Sequence, residues 1–282
     1  MSGAGTITLG DVEVDRLGFG AMRITGPGIW GAPADPDAAV ALLRRAVELG
    51  VDFIDTADSY GPRVSEELIA RALAPYDGVV VATKGGLTRG GPGEWAANGR
   101  PEHLRAALEG SLRRLRVETI DIYQLHQPDP DPAVVFEDSL AVLVEAQRAG
   151  RIRHIGLSNV TVDQLERALA MAEIVSVQNR YNALDHSGDA VLKACAERGI
   201  AFIPYFPLAA GAAAGGDGAL AEVAVRHGAT PSQVALAWLL ARSPVMLPIP
   251  GTSRIAHLEE NVAAAEIVLS DGDLELLSRA AA

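Results

Sequence analysis

Val51-Asp52-Phe53-Ile54-Asp55-Thr56-Ala57-Asp58-Ser59-Tyr60-Gly61 begins apolar and ends polar, and the two apolar runs that follow it do the same. Gly78-Val79-Val80-Val81-Ala82-Thr83-Lys84 closes on a lysine, and Thr119-Ile120-Asp121-Ile122-Tyr123-Gln124-Leu125-His126 closes on a histidine. Short apolar runs bounded by turn formers read as strands buried on both faces. An Asp, a Tyr, a Lys and a His therefore arrive at the ends of neighbouring strands, a set able to move a proton onto a carbonyl oxygen.

Outward from this stretch the same unit recurs. Thr6 to Leu17 alternates weakly around Gly10-Asp11 and predicts a β-hairpin. Strands are expected over Leu17–Met22, Val51–Ile54, Val79–Thr83, Ile120–Leu125, Arg151–Leu157, Ile174–Val177, Ile200–Tyr205 and Val245–Ile249. Amphipathic segments stand between them. Val40, Leu43 and Val47 share one helical face, Leu104, Leu108, Leu112 and Leu115 another, and Thr161-Val162-Asp163-Gln164 has the form of a capping box. Further helices are expected over Ala219–His227, Pro231–Ala241 and from about Asp271. No Pro/Ser-rich linker divides the chain, so eight strand–helix units predict one domain over residues 1–282, an α/β fold of the (β/α)8 TIM-barrel class with an N-terminal hairpin and extra C-terminal helices. Barrel enzymes carry their chemistry at the C-terminal ends of the strands, where Lys84, His126, Ser158, Asn159, Gln178 and Tyr205 fall.

Composition excludes several other classes. The chain has 282 residues, 49% of them hydrophobic and 21% charged, enough for a substantial core. A formal charge of -12 argues against broad binding to nucleic acid or to an anionic membrane. Cys195 is the only cysteine, which rules out an intrachain disulfide and any thiolate-rich metal site, and fits a cytoplasmic location. Neither a signal peptide nor a membrane span is expected, since no stretch approaches the ~18 apolar residues a spanning helix needs.

With these positions in hand, the chain resembles the aldo-keto reductase family over nearly its whole length. The resemblance is carried by the hairpin, Phe53–Gly61, Lys84, His126, Gly156-Leu157-Ser158-Asn159, Val177-Gln178-Asn179 and Ile249-Pro250-Gly251-Thr252-Ser253. Pro204-Tyr205-Phe206-Pro207-Leu208 and Leu258-Glu259-Glu260-Asn261 are similar to bacterial pyridoxal-reductase-like members. The resemblance implies NADPH, with NADH the less favoured alternative, bound without a Rossmann fingerprint. It implies Asp55, Tyr60, Lys84 and His126 as the catalytic tetrad. Ser158, Asn159 and Gln178 would hold the cofactor's carboxamide, and Tyr205 would stack on its nicotinamide. Met22, Pro207, Leu208, Gly251 and Thr252 would complete the cofactor site with His257, Glu260 and Asn261. Where family members with strong NADP preference place Lys, Ser and Arg around the 2′-phosphate, this chain has Gly251, Thr252 and His257, so Ser253 and Arg254 are expected to replace those contacts.

The residues support the same chemistry from below. Carbonyl reduction needs a hydride donor, which no side chain supplies, and an acid for the developing alkoxide. Tyr60 is the expected acid, with Lys84 tuning it through a charge that favours phenolate, Asp55 holding the lysine, and His126 orienting the carbonyl oxygen. Each has a plainer rival: Tyr60 as packing, Lys84 as a snorkelling or a Schiff-base lysine, Asp55 as a turn cap with Asp58 as the competing acid, and His126 as a structural imidazole. Asp58 is expected to be a loop carboxylate near the substrate. Trp30 and Trp95, in Gly/Pro-rich loops, would either line an apolar substrate pocket or anchor the loops, and Ala209–Gly218 would fold over the bound pyrophosphate. The expected ligand is a small carbonyl compound, foremost a pyridoxal-like or other small aromatic aldehyde. A ketoreductase of a keto-sugar or specialised-metabolite pathway and a cofactor-sensing binding protein on the same fold are the rivals. No metal site is expected.

Overall fold

The computed structural model describes residues 3–209 and 218–280. It opens with the expected hairpin, β1 (Thr6–Leu9) against β2 (Val12–Asp15), antiparallel, with Ile7, Leu9 and Val14 turned into the core. Seven strands then run parallel in one curled sheet among the described residues. They are β3 (Phe19–Gly20), β4 (Phe53–Asp55), β5 (Val80–Gly85), β8 (Ile120–Leu125), β9 (Ile152–Ser158), β10 (Ile174–Arg180) and β11 (Ala201–Tyr205), each next to its predecessor in chain order. Two more, β6 (Leu87–Thr88) and β7 (Ala96–Ala97), form a small hairpin in the loop after β5.

Residues 245–249 complete the barrel in a less regular way than the predicted eighth strand. A single parallel bridge joins Phe202 to Met246, with Phe202 N donating to Val245 O (2.7 Å) and Leu247 N to Phe202 O (2.9 Å). On the other side Gly18 N donates to Pro248 O at 3.0 Å. Pro248 and Pro250 have no N–H to give, so a full ladder cannot form here. Arg16, just past the hairpin, fixes this seam from below: its guanidinium donates to the carbonyls of Leu240 (2.8 Å), Ser243 (2.5 Å) and Met246 (3.2 Å). At the upper end the backbones of the first and last strands nearly touch. A Cβ on Gly20 would stand 2.6 Å from Ile249 O and one on Gly251 2.5 Å from Gly20 O, which is why both positions are glycine.

The helices α1 (Pro36–Glu48), α3 (Pro101–Leu115), α4 (Phe136–Arg148), α5 (Val162–Leu169) and α6 (Asp189–Arg198) cover the sheet, and α7 (Ala219–His227), α8 (Pro231–Arg242), α9 (Ile255–Ala263) and α10 (Asp271–Ala280) follow β11. Their starts follow the signals in the sequence. Asp35 caps α1 through a bond from Ala38 N (2.9 Å), and Thr161 with Gln164 forms the expected capping box on α5. The helix expected between the second and third strands, for which the sequence marks no start, is α2 (Val64–Leu73). It begins on Arg63 in a left-handed conformation without a side-chain cap, and its first turn turns polar groups inward. Ser65 Oγ donates to Ala21 O (3.1 Å), and fully buried Glu66 accepts from Arg114 Nε (2.6 Å) and Thr83 Oγ1 (2.7 Å). Cys195 is buried in the core facing β11, as expected of a filler. Among the described residues no helix is long and apolar enough to cross a membrane.

Candidate active site

Every polar residue that the sequence places at a strand end is carried there by pairing that continues past the apolar run. Gln178 pairs with Ser158 on one side and Ile203 on the other, and Lys84 pairs with Gln124. The result is a cavity of about 480 Å³ at the C-terminal ends of the strands. Asp55, Tyr60 and His126 line it, together with Met22, Ser158, Asn159, Gln178, Tyr205, Pro207, Leu208, Gly251 and Trp95. Lys84 lies beneath its floor with no exposed surface.

Lys84 is the centre of the polar network. Its Nζ donates to Asp55 Oδ2 at 2.6 Å, to Thr56 O at 2.7 Å and to Tyr60 OH at 3.4 Å. Burial opposes its charge, but Asp55 and then Tyr60 outweigh it, so its pKa lies above the usual lysine value. Asp55 is held from its other oxygen by two amides, Gln178 Nε2 at 2.8 Å and Gln124 Nε2 at 3.1 Å. Gln124, fully buried, had no signal in the sequence beyond lying two residues before His126 on an otherwise apolar strand.

Tyr60 departs from one expectation. Burial pushes its phenol above the ordinary tyrosine value; the Lys84 ammonium pulls the other way without reversing it, and Asp55 adds to the rise. At neutral pH the group is a protonated phenol that holds its proton firmly, beside a cation that would stabilise the phenolate once the proton left. His126 is driven well below the usual histidine range, first by burial and then by Lys84, and is a neutral imidazole. Its ring stands edge-on to Tyr60 with centroids 6.0 Å apart, and its Nδ1 faces Ser59 Oγ at 3.5 Å.

On the opposite wall Tyr205 OH donates to Asn159 Oδ1 (2.8 Å), and Asn159 Nδ2 donates to His126 O (3.0 Å) and Ser158 Oγ (3.1 Å). Asn159 adopts φ +57, a conformation Asn tolerates better than most residues. Because Gln178 spends its N–H on Asp55, its carbonyl oxygen is the group left to accept a bond from a ligand in the cavity. Beyond Gly251 the chain leaves the cavity along α9. Thr252 Oγ1 accepts from Arg254 N (3.1 Å), while Ser253, Arg254 and His257 are exposed at a helix start with no side-chain cap. Glu260 accepts from Thr230 Oγ1 (2.6 Å), and Asn261 is buried.

Three expectations need correction or comment. Asp58 is not on the cavity wall. Its Oδ1 is sealed off without a hydrogen-bond partner, and burial followed by repulsion from Glu66 raises its carboxyl pKa to about 8. Trp30 also lies off the wall: it pairs through its backbone with Gly61 and stands behind Arg89, so of the two loop tryptophans only Trp95 faces the cavity. The segment Ala209–Gly218 lies, for 210–217, outside the described residues. Leu87 and Gln127 on the wall carried no motif, Phe206 lies there within the Pro204–Leu208 run without having been assigned a role, and among the described residues no group of His, Cys, Asp and Glu is arranged to hold a metal ion.

This arrangement has close relatives. Residues 16–282 match the model of the aldo/keto reductase family. The chain belongs to that family. It is 47% identical to pyridoxine 4-dehydrogenase of Escherichia coli over 277 residues, 96% of each chain. It is 52% identical over 269 residues to an uncharacterized oxidoreductase of Schizosaccharomyces pombe, covering 95% of this chain and 87% of that one. Among solved structures, an aldo/keto reductase from Klebsiella pneumoniae in complex with NADP and acetate superposes with a TM-score of 0.81 at 27% identity, covering 97% of this chain and 94% of that one. As a member of the family the chain is an NAD(P)H-dependent oxidoreductase of the carbonyl-reducing class, and its fold is the family's (β/α)8 barrel.

Proposed function

We propose that this single-domain, cytoplasmic protein reduces a small aromatic aldehyde of the pyridoxal type with NADPH, with Tyr60 as the acid. The observation that carries the chemistry is the placement of Lys84 Nζ between Asp55 (2.6 Å) and Tyr60 OH (3.4 Å) under the wall of a cavity shared with His126. Bound NADPH supplies the hydride. The substrate oxygen gains charge as it is reduced, and the Tyr60 phenol passes its proton to it. Lys84 stabilises the phenolate left behind, and the bonds from Gln124 and Gln178 keep Asp55 in place beside the lysine. His126 is neutral, so with Ser59 facing Nδ1 its other nitrogen donates to the carbonyl oxygen and orients it.

The residues present fit the cofactor. The free acceptor of Gln178 and the hydroxyl of Ser158, which accepts from Asn159 and has its own proton to donate, suit a carboxamide; Tyr205 is fixed by Asn159 for stacking, and the Gly20–Gly251 contact keeps the wall thin where a long ligand passes. At the α9 start Ser253 supplies a hydroxyl and Arg254 an exposed cation for a phosphate, beside the positive end of the helix. The complex of the Klebsiella pneumoniae relative with NADP supports the same cofactor here. The likeness to a pyridoxine 4-dehydrogenase, together with the apolar side of the cavity at Trp95, Leu87 and Phe206, supports pyridoxal among the substrates.

The test is oxidation of NADPH and of NADH against a panel of aldehydes including pyridoxal, with Tyr60→Phe alongside. Tyr60→Phe is expected to lower kcat by about 10²–10⁴-fold while leaving NADPH affinity in place. Wild-type turnover in Tyr60→Phe would show that the acid is another group. NADPH binding with no carbonyl reduced would favour the cofactor-sensing alternative.

A further inference from the structure

Arg89 has no part in the proton transfer, yet its guanidinium joins three segments next to the substrate side of the cavity. It follows β6, outside the cavity wall, and its guanidinium stacks 3.6 Å from the centroid of the Trp95 ring and 5.6 Å from that of Trp30. Its N–H groups all point at backbone carbonyls. Nε donates to Glu94 O (2.9 Å), Nη1 to Ile29 O (2.9 Å) and Ser59 O (3.1 Å), and Nη2 to Gly28 O (3.1 Å) and Gly91 O (3.4 Å). One side chain thus ties the loop after β3, the turn that carries Tyr60, and its own loop with Trp95. Trp95 in turn meets Tyr60 edge-on, with centroids 6.4 Å apart.

These ties are not equally replaceable. The Tyr60 turn has its own bonds, Asp58 N to Lys84 O (3.1 Å), Tyr60 N to Ala57 O (3.2 Å) and Arg63 N to Asp58 O (2.8 Å). The Trp95 loop, among the described residues, has Glu94 N to Gly91 O (3.2 Å), and the remaining ties fasten its base at Ala96 to Asn98: Thr88 Oγ1 to Ala96 O (3.2 Å), Asn98 N to Gly86 O (2.9 Å) and the two-residue ladder of β6 with β7. Loss of Arg89 would leave Tyr60 near its place and free Trp95. A lysine cannot replace it, because an ammonium, though attracted to an indole face, has no plane to lay against it and three N–H groups in place of the five that reach carbonyls of three segments at once.

We propose that Arg89 is the positioning residue that sets selectivity for aromatic aldehydes, by clamping Trp95 as a fixed aromatic wall beside Tyr60. The proposal rests on the reductase reading above. A flat ring gains from Trp95 only if that ring is held still before binding; a short aliphatic aldehyde gains nothing from it.

The test compares benzaldehyde with propanal in wild type, Arg89→Lys, Arg89→Ala and Trp95→Leu, with NADPH affinity measured by fluorescence titration as the check on folding. For Arg89→Lys and Arg89→Ala, kcat/KM for benzaldehyde is expected to fall about 10–100-fold, mostly through KM. Propanal should change by less than about 3-fold and NADPH affinity by less than about 2-fold. Ethylguanidinium added to Arg89→Ala should restore part of the benzaldehyde rate, which a general loss of stability would not allow. Trp95→Leu should lower the same selectivity ratio without rescue. Equal losses for both aldehydes, unchanged selectivity in either Arg89 variant, or an unchanged ratio in Trp95→Leu would each overturn the proposal. If the wild type reduces neither aldehyde, the reductase reading fails first, and that outcome is distinct from an active wild type with unselective variants.

Discussion

Replacing Lys84 by Met tests whether the Asp55–Lys84 pair is the structural as well as the chemical centre of the site. Both side chains are almost wholly buried, with 0% and 2% of their surface exposed, and their contact is 2.6 Å. Removing one member of a buried pair costs about 3–5 kcal/mol because the other charge is left uncompensated. In Lys84→Met the Asp55 carboxylate keeps its bonds from Gln124 (3.1 Å) and Gln178 (2.8 Å), so the lower end, about 3 kcal/mol, is expected. In Asp55→Asn the ammonium loses its counter-charge and keeps neutral acceptors alone, the Thr56 carbonyl (2.7 Å), the long bond to Tyr60 (3.4 Å) and an amide oxygen that can no longer also serve Gln124 and Gln178, so the cost should be higher, about 4 kcal/mol. Simple addition would give about 7 kcal/mol for the double variant. A pair of neutral groups in the same space should cost only about 3–4 kcal/mol, a coupling of about 3 kcal/mol. Thermal unfolding followed by circular dichroism reads this directly, at about 2–4 °C per kcal/mol for a chain of this size. Additive losses within about 0.5 kcal/mol would refute the reasoning. Lys84→Met should also slow turnover, because the ammonium is the influence that draws the Tyr60 pKa down; without it the phenol is a weaker acid.

Two further outcomes follow from groups outside the tetrad. Asp58, with a carboxyl pKa raised to about 8, holds in the folded protein a proton that the unfolded chain releases near 3.8. Folding is therefore progressively disfavoured as pH rises from about 4 to about 8 and changes no further above that. Asp58→Asn removes this effect, so its stabilisation should be at least about 1 kcal/mol larger at pH 8.5 than at pH 5; a difference in melting temperature that does not vary with pH would refute the raised pKa of this buried carboxyl. Arg254→Ala should weaken NADPH binding about tenfold, the worth of one charge-assisted bond to phosphate, and leave NADH within about twofold. Equal weakening of both would place the phosphate elsewhere.

The barrel was legible because its strands are buried on both faces and read as apolar runs, and the meeting of Asp55, Tyr60, Lys84 and His126 was legible because each ends or follows such a run. The same signal cut the strands short. Hydrophobicity stops at Val177, yet β10 continues through Gln178, Asn179 and Arg180, whose backbones still pair with Ile203, Pro204 and Tyr205. The polar ends of these strands are the rim of the site, so the residues that matter most for chemistry lie where the pattern fades. The unmarked start of α2 has a related cause: Ser65 and Glu66, which would ordinarily mark an exposed first turn, point inward to Ala21, Thr83 and Arg114. At the seam of the barrel the error runs the other way. Val245–Ile249 has the composition of a strand, but prolines at 248 and 250 leave it a bridge and scattered bonds.

Gln124 shows what no reading of periodicity could supply. It sits between apolar neighbours, and its importance comes from strand register, which places it opposite Lys84 on β5 and Gly156 on β9. A Cβ on Gly156 would stand 2.8 Å from Gln124 Cγ. The glycine of the Gly156-Leu157-Ser158-Asn159 motif therefore makes room for an amide on the next strand as well as leading into the cofactor wall. That amide reaches the same Asp55 oxygen as Gln178, and Gln178 Nε2 is also 3.4 Å from Gln124 Oε1. Asp55 is thus bound from one side by the lysine that serves Tyr60 and from the other by the glutamine that faces the cavity. A ligand bond to the Gln178 carbonyl oxygen would pull on an amide whose N–H already holds Asp55, so under the proposed function the placement of the cofactor and that of Lys84 would be linked through one carboxylate.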